Sequence, residues 1–353
     1  MNLAPDDDLL LIAETARRFG EDVLAPRMRT AEADRAVDSE TQRAFAEIGL
    51  AGLELPEKAG GAELGCVARV LVNEELGATD AGAALALDRF GPALYPILEM
   101  GGDLSRLTDG SGRILLVTDL DGQFQIHADR VSGTCPWVPA SEVDAIVVLA
   151  KDQAAIIHEG FTIEPIRGAG LRAAGAGALR IEDAQMSSHL SDPVGASRAR
   201  ARARLYVASL LLGVLRASCD FSREYAKERK AFGKPIGHHQ ALAFLITDMQ
   251  MALDGARLLV HEAAWRLDAG LPADAAAASA LAECIDASRS IGPNGVQILG
   301  GHGFMADYPV EKHMREARAL GLLFGGFDAA VEESGQQICA SDAPLEIGIG
   351  EAL

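Results

Sequence analysis

The stretch Gly295 to Arg318, GVQILGGHGFMADYPVEKHMREAR, decides how this 353-residue chain is read. Its opening, Gln297-Ile298-Leu299-Gly300-Gly301, has the form of a helix end closed by glycines, which take up the left-handed backbone that stops a helix. Taken alone it is a cap and nothing more. Upstream lies a second informative segment, Arg223 to Met249, REYAKERKAFGKPIGHHQALAFLITDM. There Arg229 ends one helix, and Gly233 with Pro235 forces a turn. A second helix follows, with Leu242, Leu245, Ile246, Met249, Leu253 and Ala256 at helical spacing. Alone, Arg229 reads as a solvated cation at a helix end.

Together, and in this order, the two segments resemble the signatures of the acyl-CoA dehydrogenases, flavoenzymes that desaturate acyl-CoA thioesters. The upstream pattern is matched by Arg229, Phe232, Gly233, Ile236, Gln240, Asp248 and Met249. The resemblance implies FAD as cofactor and α,β-desaturation of an acyl-CoA thioester as the reaction. It implies that Arg229 pairs with the pyrophosphate, that Phe232 belongs to the same cofactor-binding set, and that Gln240 lies near the adenosine end. Gln297, Gly300 and Gly301 would bind a flavin held mainly by a neighbouring subunit. A homo- or hetero-oligomer, a dimer of dimers, is expected on the same ground, with electron-transfer flavoprotein as the acceptor of electrons.

Composition sets outer limits. Apolar residues make up 49% of the chain and charged residues 24%, the balance of a globular protein with room for two or three domains. A formal charge of −19 argues against nucleic acid and against anionic membrane surfaces as partners. Cys66, Cys135, Cys219, Cys284 and Cys339 are scattered, odd in number and never spaced C-x-x-C, so neither a disulfide framework nor a zinc site is expected. His238-His239 is the one close histidine pair, and adjacent side chains diverge, so no metal is expected. The start, MNLAPDDDLLLIAETARRFG, is acidic before its apolar run, unlike a signal peptide. No uninterrupted apolar run approaches the roughly 20 residues that span a bilayer. A soluble, cytoplasmic protein is expected.

The chain reads as an α+β multi-domain protein. Residues 1–108 form an all-α domain, in which Leu9, Ile12, Ala13 and Ala16 follow Asp6-Asp7-Asp8 at helical spacing. After the turn-rich LELPEKAGGAELG, the segment from Val67 to Gly91 suits two packed helices. Residues 109–192 form a small β domain built from ILLVTDL, FQIHADRVSG, DAIVVLA, AAIIHEG and TIEPI, short runs rich in β-branched residues. Residues 193–353 form a bundle of four long antiparallel helices, with Leu205, Leu211, Leu212, Leu215 and Cys219 on one stripe. Phe244, Met249 and Met251 are read as further core stripes.

The departures from the resembled pattern bear on mechanism. In the family the carboxyl-terminal signature runs on to a Glu-Gly-Thr whose carboxylate is the base; aligned without a gap, that position is Phe324 in LLFGGFD. A carboxylate at the α-carbon is worth roughly 10²–10⁴-fold, and phenylalanine cannot accept a proton. The minority position for the base, on the first bundle helix, falls at Ala203. Asp328 is the remaining candidate, one helical turn beyond Phe324. The family's flavin-gripping loop is cut short here, its counterpart being Leu116 to Gly122. The next flavin element is reduced to Cys135-Pro136-Trp137-Val138, where Trp137 either stacks near a flavin ring or fills a β core. Three readings stay open: a subunit that completes a related partner's FAD site, a self-sufficient homotetramer with a relocated base such as Asp328, and a non-enzymatic member kept for assembly. The acyl group is not legible.

Overall fold

The computed structural model describes residues 5–105, 112–120 and 122–340. The expected boundary between residues 108 and 109, Asp121 of the shortened loop, and the last residues of the expected bundle lie outside them.

The first domain is helical. Helix α1 (Asp7–Phe19) opens at Asp6, whose carboxylate accepts the Leu9 N–H at 2.9 Å, with Asp7 and Asp8 at the positive end of the helix dipole. One widened turn (Gly20–Leu24) carries it into α2 (Ala25–Asp34). Then come α3 (Ser39–Glu47), α4 (Cys66–Leu87) and α5 (Leu94–Glu99). After Gly65, where two helices are expected, α4 spans 22 residues whose helical backbone is interrupted at Asp80 (φ −155°, ψ 98°), leaving two helices joined at a kink. Alanine-rich spacing on both sides of Asp80 suits helix, and the Asp80 carboxylate accepts the Ala83 N–H at 2.9 Å, capping the second helix.

Two four-stranded sheets make the middle domain. One has the order β1 (Ile114–Thr118), β4 (Ala145–Leu149), β5 (Gln153–Ile157), β8 (Ser188–Ser191), with β1 parallel to β4 and the other pairs antiparallel. The other is antiparallel, in the order β2 (Phe124–His127), β3 (Arg130–Val138), β7 (Gly177–Gln185), β6 (Phe161–Pro165). Strand β4 is buried at every position because both faces of its sheet are covered. Ile146 and Val148 face the second sheet, in a core with Val131, Leu179 and Ile181. The alternate residues Val147 and Leu149 join the larger core shared by the two helical domains.

Three long helices and two short ones form the last domain: α6 (Pro193–Glu228), α7 (Gln240–Asp268), α8 (Asp274–Leu299), α9 (Val310–Leu320) and α10 (Gly326–Ala340). The fourth long helix is therefore broken in two. Phe324, Gly325 and Gly326 all have positive φ (53°, 88° and 61°), which no helix passes through. Helix α6 is long and apolar enough to cross a membrane, but 78% of its apolar window is buried inside the chain, as befits a bundle core. On α7 the expected stripe is half right. Met249 is 1% exposed, whereas Phe244 and Met251 are 59% and 67% exposed. Together with Leu258 they repeat every seventh residue on the outer face, opposite the buried Leu253, Ala256 and Val260.

Two buried charge networks tie the helical domains together. In one, Lys312 of α9, fully buried, pairs with Glu316 one turn on and with Asp80 at 3.1 Å. In the other, Glu54 accepts from Arg69 at 2.8 Å and from Arg202 and Tyr95 at 2.9 Å. Both anchor the helices that carry the clefts described next.

Two candidate clefts

The first cleft lies where α6 ends and α8 ends. Arg229 is the C-cap of α6, exposed, with its N–H on the Tyr225 carbonyl. The chain then makes a two-residue hairpin, β9 (Lys230–Ala231) to β10 (Lys234–Pro235), through Phe232 (φ 54°) and Gly233 (φ 81°). Two positive φ values in a row define the tight hairpin turn that matches strand twist. Glycine suits its place; phenylalanine does not, and its ring is 96% exposed. From the other side, Gln297 lies in the last turn of α8, and Gly300 caps it with φ 59° and ψ −129°. A β-carbon on Gly300 or Gly301 would meet nothing within 4 Å, so the backbone here is open to a ligand.

Arg229, Phe232, Gln297, Gly300 and Gly301 thus line one cavity of about 610 Å³. Tyr225, His239 and His302 line it too, and sequence reading had passed over them. Tyr225 Oη and His302 Nδ1 are 2.8 Å apart, and His302 stacks on Tyr308 with ring centres 4.9 Å apart. The signal was present: Phe221 and Tyr225 sit one helical turn apart, and His302 stands between two glycines. Gln240 is the first residue of α7, exposed and outside the lining of this cavity.

The second cleft, about 360 Å³, lies between the β domain and the break before α10. Thr118 and Leu120 follow from β1, Cys135 to Pro139 from β3, and Leu322 to Gly325 from the break. Strand β3 slips register against β7 between Cys135 and Val138, a bulge that contains Pro136 and turns half-buried Trp137 into the cleft. Cys135 Sγ donates to the Trp137 carbonyl at 3.3 Å, and burial pushes this thiol's pKa upward. Phe324 forms the facing wall. No carboxylate, lysine, arginine or histidine stands among the described residues lining this cleft. Asp328 is exposed in the first turn of α10, outside the lining. Ala203 is fully buried on α6.

Helical domain, β domain and helical bundle, with a cleft at the bundle's end and another at the β junction, are the build of the acyl-CoA dehydrogenase fold. Residues 6–105 match the family model described as acyl-CoA dehydrogenase, N-terminal domain, and residues 196–332 that of the C-terminal domain. The short-chain specific acyl-CoA dehydrogenase, mitochondrial, of Bos taurus is 29% identical over 361 residues, covering 89% of this chain and 86% of that protein. Among solved structures, butyryl-CoA dehydrogenase from Megasphaera elsdenii superposes with a TM-score of 0.84 at 24% identity, over 96% of this chain and all of that one. A structure of PigA with FAD and proline has a TM-score of 0.85 at 22% identity, covering 96% and 99%. The chain belongs to the acyl-CoA dehydrogenase family.

Proposed function

We propose that this chain is an FAD-dependent oxidoreductase subunit of an acyl-CoA-desaturating assembly, contributing a nucleotide clamp while a related subunit supplies the base. The observation that carries the reading is the second cleft. Thr118, Trp137 and Phe324 face one another there without a carboxylate among the described lining residues.

The residues of the first cleft fit FAD. An exposed guanidinium suits a pyrophosphate, the Gln297 amide offers both a donor and an acceptor, and the Gly300–Gly301 backbone lets phosphate or ribose approach closely. The second cleft fits only part of the cofactor, since Thr118 offers one hydroxyl and Trp137 one ring face. When bound, FAD accepts the hydride that leaves the substrate's β-carbon. Arg229 holds negative charge at the rim of the first cleft. Phe324 and Leu322 give the second cleft an apolar wall and move no proton. The electron acceptor proposed is an electron-transfer flavoprotein, and the assembly a hetero-oligomer.

The test is to purify the chain alone and co-purified with a base-bearing homologue, measuring flavin per chain by absorbance. The expected result is a nearly colourless chain alone and a yellow complex that acyl-CoA thioesters bleach. A chain that by itself carries stoichiometric FAD and is bleached by acyl-CoA would overturn the proposal.

A further inference from the structure

A cavity of about 870 Å³ belongs to neither cleft and opens between α3, the end of α4 and the β domain. We propose that it binds a small organic carboxylate with an apolar body. Three arginines converge on it in a chain whose net charge is −19: Arg43, Arg89 and Arg113. Arg113 stands deepest. One of its terminal nitrogens donates to the carbonyls of Pro139 and Ala174 at 2.7 and 3.2 Å, and no ion pair to it is present among the described residues. Arg89 donates from Nε to the Gly112 carbonyl at 2.8 Å and lies 4.8 Å over the Phe90 ring, which fixes its direction. Arg43 is exposed on α3, with no hydrogen bond or ion pair among the described residues.

The acids on the wall set the ligand's charge. Asp144 is tied down, accepting the Gly112 N–H at 2.6 Å, and Glu142 stands exposed. Among the described lining residues three guanidinium groups stand against two carboxylates, an arrangement that suits an organic anion over a cation. Phe45, Leu87 and Phe161 supply an apolar wall, so the occupant carries a hydrocarbon or ring portion as well as its head. A carboxylate can take two parallel bonds from one guanidinium, which rewards this head over a neutral amide.

The full chain is titrated with hexanoate by calorimetry, with hexanamide as the neutral counterpart. Saturable one-site binding of hexanoate, at least about tenfold tighter than hexanamide, is expected. Arg43→Glu, at an exposed and unpaired position, should weaken hexanoate about tenfold or more without changing the circular dichroism. Ala46→Trp, which fills the cleft from α3, should abolish binding. Equal affinity for the amide, indifference to Arg43→Glu, survival of binding in Ala46→Trp, or no saturable binding at all would each overturn the proposal. None of these outcomes touches the flavin content on which the proposed function rests.

Discussion

Each of the two clefts in the flavoprotein fold carries a phenylalanine in the left-handed region, and the two differ in what surrounds them. Phe232 has φ 54° and Phe324 φ 53°, a conformation that costs a bulky residue roughly 1–2 kcal/mol. Phe324 packs against the main hydrophobic core, so contacts within the chain offset its strain. Phe232 is 96% exposed and touches little beyond the edge of His239 at 6.0 Å. No other ring contact to it is present among the described residues. Under the proposed subunit role, that strain would serve a neighbouring chain. On that reading Phe232 belongs to a surface that completes another subunit's site, beside a second cleft walled largely by apolar side chains.

The largest expected effect concerns the inner cleft. Helix α9 leads into Phe324 and is pinned by Lys312, buried between Asp80 and Glu316. Lys312→Met would leave two buried carboxylates without their cation and destabilise the chain by about 3–5 kcal/mol in guanidinium unfolding at pH 8. Burial has raised the Glu316 carboxyl to about 7, so at pH 5 it carries its own proton and the loss should shrink. A loss as large at pH 5 as at pH 8 would mean the network does not hold that proton. Second comes Arg229→Ala, expected to weaken FAD in the co-purified complex by about 2 kcal/mol, or roughly 30-fold. Trp137→Leu should cost no more than about 1 kcal/mol of the same affinity. A reversed order of these two effects would break the contrast between the clefts.

How much of this was legible can be argued residue by residue. The three domains were, because β-branched runs at period two and long apolar stripes at helical period follow directly from burial. The first cleft was also legible, since its glycines and arginine form short linear patterns. Gln240, expected near the adenosine end of the cofactor, is the first residue of α7 and stands outside that cleft's lining. Phe244 and Met251 misled because an apolar residue at helical spacing fits an inner or an outer stripe equally. The seven-residue repeat with Leu258 was the clue that they share a face of their own. What sequence could not show is partnership across the chain: Tyr225 with His302, Lys312 with Asp80, and Arg113 with the Pro139 carbonyl. Those contacts join residues far apart in sequence and obey no local period.

Acid tests the pinned helix from its other side. His313, beside Lys312, is buried with Nδ1 unpartnered, and burial with nearby cations pulls its imidazole from an ordinary 6.5 down to about 3. A depressed value means neutral histidine is favoured by folding. Its stabilisation is present above pH 6.5 and is lost as pH falls toward about 3. Glu316 acts in the opposite sense, its contribution being lost as pH rises from 4.5 through about 7. His313→Asn should therefore flatten the acid limb, narrowing the fall in stability between pH 7.5 and pH 4.5 by about 1–2 kcal/mol. An unchanged acid limb in urea unfolding would show that the ring already meets water.

The smallest effect bears most directly on the two phenylalanines. Asparagine tolerates left-handed backbone far better than phenylalanine, so either substitution relieves the same strain. Phe232→Asn gives up almost no packing, and should raise the stability of the isolated chain by up to about 1 kcal/mol, a few degrees in Tm. Phe324→Asn loses a ring from the edge of the main core, so relief and loss should cancel or leave the chain less stable. In the co-purified complex the order inverts: Phe232→Asn, harmless to the free chain, should cost FAD affinity because the exposed ring has lost its stacking face. A gain in the free chain coupled to a loss in the complex is what a residue kept for a neighbour must show. Equal gains at both positions, with no change in flavin binding, would mean that the strain at Phe232 serves nothing outside the protomer.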